Sequence, residues 1–477
     1  MTRFLVFVLL AAMTALGSET SSTSLPPDQA ANVTFNKDVL PILQNNCQTC
    51  HRPGGIAPMS LLTYQNARPW AKAIKAAVVN KQMPPWFADP HYGEFRNAPK
   101  LTSADIQTLV AWTDTGAREG DPADQPAPVQ WKEGWRIKPD VVISMPEAHV
   151  VPAKGVGEIQ SFFVPNPFKQ DTWVNSIEIH PGEPSVVHHV MVQVPEETSG
   201  PAFSWGAVAP ECVPSASEAF LETPATIGNP RAPQVKPPKN FAILEAVYVP
   251  GSPVTDFRYE KSGKLIKGGG NLRIEVHYTP NGRAVADQTR IGFAVATTPP
   301  ERKFIMLAPK SVANAKTPIP AGEANWESRG ELEFGQDAQL VWFMPHMHLR
   351  GKDMSFELIF PNGRTETVLN AKFNFNWQLG YELDEPIRVP KRTRMVVVAH
   401  HDNSANNPFN PDPTQEVAWG NLTSQEMVLP WFGVIVDKDT DPEKLLAVRQ
   451  GGCGPLRRVL STSPVRLPTV PIFRNRQ

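Results

Sequence analysis

The chain has no excess charge of either sign. Lys and Arg number 46 against 47 Asp and Glu in 477 residues, so the balance points to neither a nucleic-acid partner nor a charged membrane surface. Long apolar runs are also missing. The run that opens the chain, FLVFVLLAAMTALG at 4–17, falls short of the roughly 20 residues a membrane helix needs. With Arg3 before it and small polar residues after it, the stretch 1–20 reads as a secretory signal peptide. No cysteine follows it, which argues against a lipid anchor. The expected location is periplasmic or secreted, with no membrane span in the mature protein. Cysteine is scarce as well: four in all, which excludes a small disulfide-stapled scaffold.

What is present is proline, 50 residues, about twice the usual share and dense after residue 120. That density interrupts helices and favours short strands and turns. The length suggests about three domains. Two of the cysteines stand in CQTCH, residues 47–51, where Cys47 and Cys50 can form thioethers to the haem vinyl groups while His51 ligates the iron. One covalent haem c is therefore expected, and export fits it, because attachment is completed outside the bacterial cytoplasm. Cys212 and Cys453 are left as the only disulfide candidates, and whether they pair stays open.

The pattern from 33 to 120 is helical and is read as a small cytochrome c domain. NARPWAKAIKAAVVNK places Pro69 at a first helical position with Trp70, Ile74 and Val78 on one stripe. Thr102 and Asp105 have capping-box spacing, and Gly116 offers a stop. GDPADQPAPVQ, 120–130, marks the expected linker, 121–135. Thereafter the period changes to two. FNFNW (373–377) and RMVVVAHH (394–401) look like strands, and TPNGR (279–283) and FPNGR (360–364) carry Asn-Gly between strand-like runs. The fold class expected is multidomain, a small all-α cytochrome followed by two all-β sandwiches at 136–298 and 299–465, with the break in TTPPERK.

Three strand-like runs collect the informative histidines: SVVHHVMV (185–192), NLRIEVHYTPNG (271–282) and LVWFMPHMHLRG (340–351). Residues i and i+2 of a strand face one side, so His346 and His348 project together while Met347 points away. Neighbours such as His188 and His189 point to opposite faces of a regular strand. Both reach one metal only where the strand is twisted, bulged or ending, and His277 could then add a third imidazole. The bland alternative is one core histidine and one exposed. Two imidazoles with a thioether select copper, and Met427 in WGNLTSQEMVLPW is the candidate, although a Met in an apolar run is more often core.

HHVMV, EVHYT, HMH and TSQEM in that order resemble the copper type II, ascorbate-dependent monooxygenases, the group of the peptidylglycine alpha-hydroxylating and dopamine beta-monooxygenases. The resemblance spans about residues 140 to 440. It implies two facing jelly-roll domains with one copper each, His188, His189 and His277 at an electron-transfer copper, and His346, His348 and Met427 at an oxygen-activating, catalytic copper. CQTCHRPGGIAPMSL and KQMPPWFADPHYGEF resemble a cytochrome c module fused to such domains in bacteria, which implies Met83 as the second iron ligand, with Met59 as runner-up. Where the peptide-amidating member has a substrate-binding arginine and a tyrosine, this chain has Met344 and Trp431. The implied pocket is thus more apolar, and peptide amidation is not expected. His400 and His401 are read without a copper role, and His91, His149 and His180 as structural or surface residues.

The function these readings lead to is an exported copper monooxygenase that hydroxylates an aliphatic C–H bond of a small organic substrate with O2, using two coppers, one haem c and an external electron donor the sequence does not identify. The alternative is a non-catalytic periplasmic electron-transfer or copper-handling protein. A blue-copper oxidase needs a cysteine beside histidine and methionine, and neither Cys212 nor Cys453 has that context.

Overall fold

A computed structural model describes residues 25–131, 134–155, 157–195, 241–252, 254–309, 317–420 and 422–447. The leader at 1–20, Cys212 and Cys453 lie outside the described residues. The fold is mostly β, with 39% strand and 15% helix. All described residues belong to one compact unit, and no helix among them is long and apolar enough to cross a membrane. Three apolar cores can be told apart within it.

The first core is helical and draws on residues from Val33 to Ala117. Helices Leu40–Asn46, Ala71–Val79 and Ser103–Asp114 surround it. Thr102 and Asp105 form the reciprocal capping box, which satisfies two of the orphan amides of that helix start. Gly116, at φ +95°, ends the same helix in a conformation that costs glycine little. One detail differs from the sequence reading. Arg68–Trp70 is a separate 3-10 turn before the helix, so the buried stripe is Ala71, Ile74 and Val78, and Trp70 is left 43% exposed. The tighter turn rotates Trp70 off the face it would occupy on a continuous α-helix.

The two remaining cores lie between β-sheets. Glu158–Pro165, Asn271–Tyr278, Val187–Gln193 and Ala246–Tyr248 form a four-stranded sheet. Thr365–Lys372, Gly351–Ile359, Arg394–His401, Trp326–Phe334 and Leu446–Ala447 form a five-stranded one. A ten-stranded sheet backs both. Its central strands serve the two cores by alternation: Arg302–Pro309 gives Phe304, Met306 and Ala308 to one core and Ile305 and Leu307 to the other. Leu429–Asp437 does the same with Leu429 and Trp431 against Phe432 and Val434. A strand buried on both faces reads as a near-continuous apolar run, which these do between Arg302 and Lys303 at the start of the first and Asp437 at the end of the second.

FPNGR closes the hairpin between Gly351–Ile359 and Thr365–Lys372, with Phe360 N donating to the Arg364 carbonyl at 2.9 Å. TPNGR does not make a hairpin, because Val285–Asp287 pairs with His149–Val151 instead of turning back on Asn271–Tyr278. FNFNW is a turn, not a strand. Asn376 N donates to the Asn374 side chain at 3.0 Å and Trp377 N to the Asn374 carbonyl at 2.9 Å, local bonds that asparagine offers in competition with a ladder.

The segment 84–98 leaves the helical core and packs on the second sandwich. Asp89 N donates to the Asn370 carbonyl at 2.7 Å, Arg96 N to Glu382 at 3.0 Å, and Asp384 N to Glu94 at 2.8 Å. Trp86, Phe95 and Tyr381 form an edge-to-face trio with centroids 5.0 to 5.9 Å apart. The sequence gives this arm to the cytochrome domain, but its side chains belong to a β core.

Candidate metal centre

Strands Val187–Gln193 and Asn271–Tyr278 pair His277 with His189 and Val276 with Val190, then slip by one so that Tyr278 faces Val187. His188 is the extra residue of this bulge. A bulge turns a side chain that alternation would send to the other face. As a result, one ring nitrogen from each of His188, His189 and His277 lies within 4.8 Å of the others. His277 Nδ1 is 3.3 Å from His189 Nε2 and its Nε2 is 3.3 Å from Thr423 Oγ1. The Phe375 carbonyl accepts from His188 Nε2 at 2.5 Å, and the Phe375 ring stacks on the imidazole with centroids 4.8 Å apart.

On strand Ala338–His346, Phe343 points into the second sandwich core and Met344 into the first, and beyond the strand Met347 again joins the second. His346 and His348 therefore share the face toward the first sandwich, with ring centroids 5.6 Å apart. Gln378 Oε1 accepts from His346 Nδ1, and the Gln425 carbonyl accepts from His348 Nδ1 at 3.0 Å. Fixing Nδ1 as donor leaves Nε2 of each ring as the lone-pair nitrogen. His348 Nε2 is buried with no partner, a vacancy of bonding worth about 1 to 3 kcal/mol that a metal would fill.

His348 lies past the strand end, so something else must hold its backbone. Glu426 does: its buried carboxylate accepts from His348 N at 3.1 Å and Arg350 N at 2.6 Å. Burial holds that carboxyl up at about 8. Arg350 donates to the Ser424 carbonyl at 2.7 Å and Asn410 Oδ1 at 3.1 Å, and Asn407 Nδ2 to the Leu349 carbonyl at 3.0 Å. The asparagine-rich stretch after His401 is thus a brace for the HMHLRG segment. His401 is wholly buried 3.7 Å from Glu426, whereas His400 is half-buried and bonds Asp353 at 2.6 Å.

Met427 is buried in the first sandwich core, where Leu429 is its neighbour and Val428 belongs to the second. Leu429 pairs with His346, so Met427 stands on the sheet face that carries the two histidines. Met344 lines a cavity of about 610 Å³ with Val247, Phe304, Met306 and Val341. Trp431 departs from the sequence reading: it is fully buried in the core. His149 and His180 make side-chain bonds of 2.7 Å to Glu158 and Glu178, and His91 is exposed beside Asp89.

Burial is the main cause that keeps all five clustered imidazoles neutral. It lowers His188 and His348 to about 4 and His346 to about 3, and it holds His189 and His277 well below the ordinary value, with neighbouring histidines adding to the effect. A neutral imidazole keeps a lone pair for a metal.

Cys47, Cys50, His51, Met59 and Met83 line one cavity of about 440 Å³, and His188 is part of its wall. His51 Nδ1 lies 3.3 Å from the Met59 carbonyl; donating there leaves Nε2 for an iron. Burial pushes the Cys47 thiol up to about 12, and a thioether at that position carries no charge to desolvate. Two thiols, an oriented imidazole and two thioethers around one cavity fit a c-type haem. Asn376 and Trp377 complete the wall from the second sandwich. The turn 373–380 thereby touches the cavity, His188 and His346, a role without a sequence signature beyond its Asn-Phe-Asn.

If His346 is a copper ligand, Gln378→Leu is expected to weaken binding there by about 10- to 100-fold while sparing the His188 set. Competition titration with a copper chelator measures it; unchanged affinity would show that Gln378 does not orient His346.

No family model matches the chain, and no curated protein does. Among solved structures, one titled infectious bursal disease virus Gt strain is 10% identical over 68% of this chain and 78% of that chain, with TM-score 0.15. The Gx strain structure is 8% identical over 65% and 75%, also at 0.15. Likeness at that level carries no argument.

Proposed function

We propose that the chain is an exported copper monooxygenase, hydroxylating an aliphatic C–H bond of a small organic substrate with O2, with electrons supplied through a covalent haem c. The observation that carries this reading is the shared wall: His188 belongs both to the CQTCH cavity and to the histidine cluster. A mostly β fold with two sandwich cores supports the two-jelly-roll architecture that the resemblance implies. When bound, haem and copper supply one-electron redox chemistry and oxygen activation.

The chain's own residues supply the rest. Cys47 and Cys50 would anchor the haem, His51 would ligate it through Nε2, and Met83 is the proposed second ligand, with Met59 on the same cavity wall as the runner-up. His188, His189 and His277 hold one copper, and His346, His348 and Met427 the other. Imidazole and thioether together suit copper in both oxidation states. The proposed substrate site is the cavity of about 610 Å³ lined by Met344, two residues from His346. At its rim Arg96 is paired with Glu382 and Arg258 with Asp256. Those pairs leave no uncompensated charge there, so a neutral substrate is proposed.

The test is an oxygen-uptake screen over neutral aliphatic compounds, using the intact chain with its haem and copper content measured. Substrate-dependent uptake that His346→Ala abolishes is expected. Full metal content with no uptake for any compound would favour an electron-transfer or copper-handling protein.

A further inference from the structure

The cavity of about 610 Å³ takes its apolar wall from the two sandwiches, through Val247, Phe304, Met306, Val341 and Met344. Its mouth has a third contributor. Arg96 and Asn97 follow directly on KQMPPWFADPHYGEF in the CQTCH-bearing part of the chain, and they line the same space beside Tyr259 and Glu382.

The arm is built into this mouth. The Asn97 side chain bonds the backbone in both directions: its Oδ1 accepts from Glu382 N at 3.0 Å and its Nδ2 donates to the Gly380 carbonyl at 2.8 Å. An amide paired in this way satisfies peptide groups at the start of strand Tyr381–Val389 as a neighbouring backbone would, and Arg96 N adds a bond to the Glu382 carbonyl at 3.0 Å. The Arg96 side chain is then fixed on two sides. Its guanidinium lies 3.8 Å from the centre of the Tyr259 ring, and its Nε donates to Glu382 Oε2 at 3.1 Å. A flat cation presents a face to a ring and an edge to a carboxylate at once, which a lysine ammonium cannot do. Tyr259 is itself anchored, its hydroxyl donating to the Asp384 carbonyl at 2.9 Å. One residue from the arm, one from the first sandwich and one from the second therefore meet at the mouth.

The charges on the lining are matched. Arg258 donates to both oxygens of Asp256, at 2.9 and 2.6 Å, a pair local to one turn that does not depend on the arm. The pair of Arg96 with Glu382 joins distant segments and exists only with the arm in place.

We propose that Arg96 determines the specificity of this cavity: held across the mouth by the arm, it balances Glu382, so that neutral molecules are admitted in preference to either ion. This rests on the substrate site proposed above and goes beyond it by making selection depend on a residue of the CQTCH-bearing segment. Without Arg96 the rim carries an unbalanced carboxylate and favours cations. Without the Glu382 charge it carries an unbalanced guanidinium and favours anions.

The experiment is equilibrium dialysis of the intact chain, its haem and copper content measured, against three radiolabelled probes of one chain length: 1-octanol, octanoate and octylammonium. The unmodified chain is expected to bind 1-octanol most tightly. Glu382→Gln should raise the affinity for octanoate relative to octylammonium by about three- to fivefold, and Arg96→Gln should move the same ratio by a similar factor in the opposite sense. Opposite shifts cannot come from a general loss of folding. Thr255→Trp, which fills the cavity from a half-buried position on its wall, should remove binding of all three probes. If Thr255→Trp abolishes 1-octanol binding but neither charge variant moves the ratio, or the unmodified chain binds an ion as tightly as 1-octanol, the role of Arg96 is overturned and the cavity stands as the substrate site. No binding of 1-octanol, or binding that Thr255→Trp leaves unchanged, overturns the cavity as a substrate site and the role of Arg96 with it.

Discussion

On the proposed reading, when the haem of the fully oxidised chain is reduced anaerobically by a sub-stoichiometric light-generated reductant pulse, it is expected to reoxidise at a rate independent of protein concentration as its electron passes to copper. Replacing His188 and His189 together by alanine should slow this at least about tenfold, with haem absorbance unchanged. The expectation comes from docking and from the wall. Sequence alone assigns the task of holding donor near acceptor to the linker at 121–135. In the structure the arm at 84–98 does more, because its backbone bonds to Asn370, Glu382 and Asp384 and its Trp86 and Phe95 fix the helical part against the second sandwich. Such docking makes the local concentration of donor at least that of a short tether, about millimolar. His188 then stands between the CQTCH cavity and the other imidazoles. Equal rates in the two proteins, or reoxidation by oxygen alone, would mean that the haem serves another partner.

Acidifying the metal-free chain from about pH 7 to about pH 5 is expected to remove several kcal/mol of stability, much of what a domain has. Above about pH 6.5 the imidazoles are neutral in both states and contribute nothing. Below it the unfolded chain takes up protons that His188, His348 and His401 refuse until about 4 and His346 until about 3. Each such group costs about 2 kcal/mol at pH 5. Glu426 has the opposite sign. Its native form stays protonated up to about 8, so it destabilises the fold as pH rises above its unfolded value, and acidification restores roughly 2 to 3 kcal/mol, the equivalent of about one imidazole. The net is loss. On the proposed copper reading, copper should protect, since it would bind the native imidazoles and compete with protons. Thermal midpoints with and without copper at the two pH values measure the effect, and His91→Ala, at an exposed site, should not alter it. A metal-free midpoint that does not fall between pH 7 and 5 would contradict the burial of the cluster.

Much of the candidate site was readable because its signals are local. CQTCH is contiguous chemistry. HMH needs only the two-residue period of a strand, and the structure turns both rings to one face with Met347 on the other. The capping box at Thr102 and the hairpin at FPNGR are likewise set by residues within a few positions. The failures have the same logic in reverse. Trp70 left its stripe because a 3-10 turn replaced the first helical turn, and FNFNW became a turn because Asn374 bonds its own neighbours. TPNGR failed as a hairpin because the strand after it found a partner at His149–Val151.

What the sequence by itself determined is the chemistry available: two thiols and an imidazole in one run, imidazoles in three strand-like runs, and near-continuous apolar stretches in the central strands. Tertiary structure alone decided which of these meet. His188 reaches the side of His189 and His277 through a one-residue slip in pairing between segments 88 positions apart, and nothing local to SVVHHVMV states that slip. Gln378 and Glu426 hold His346 and His348 from distant turns, and Phe375 covers His188 from the second sandwich. How the two sets of histidines are placed depends on how the strands of one shared sheet are ordered. That order is set by burying both faces of Arg302–Pro309 and Leu429–Asp437 at once, a requirement met only by the whole packed molecule.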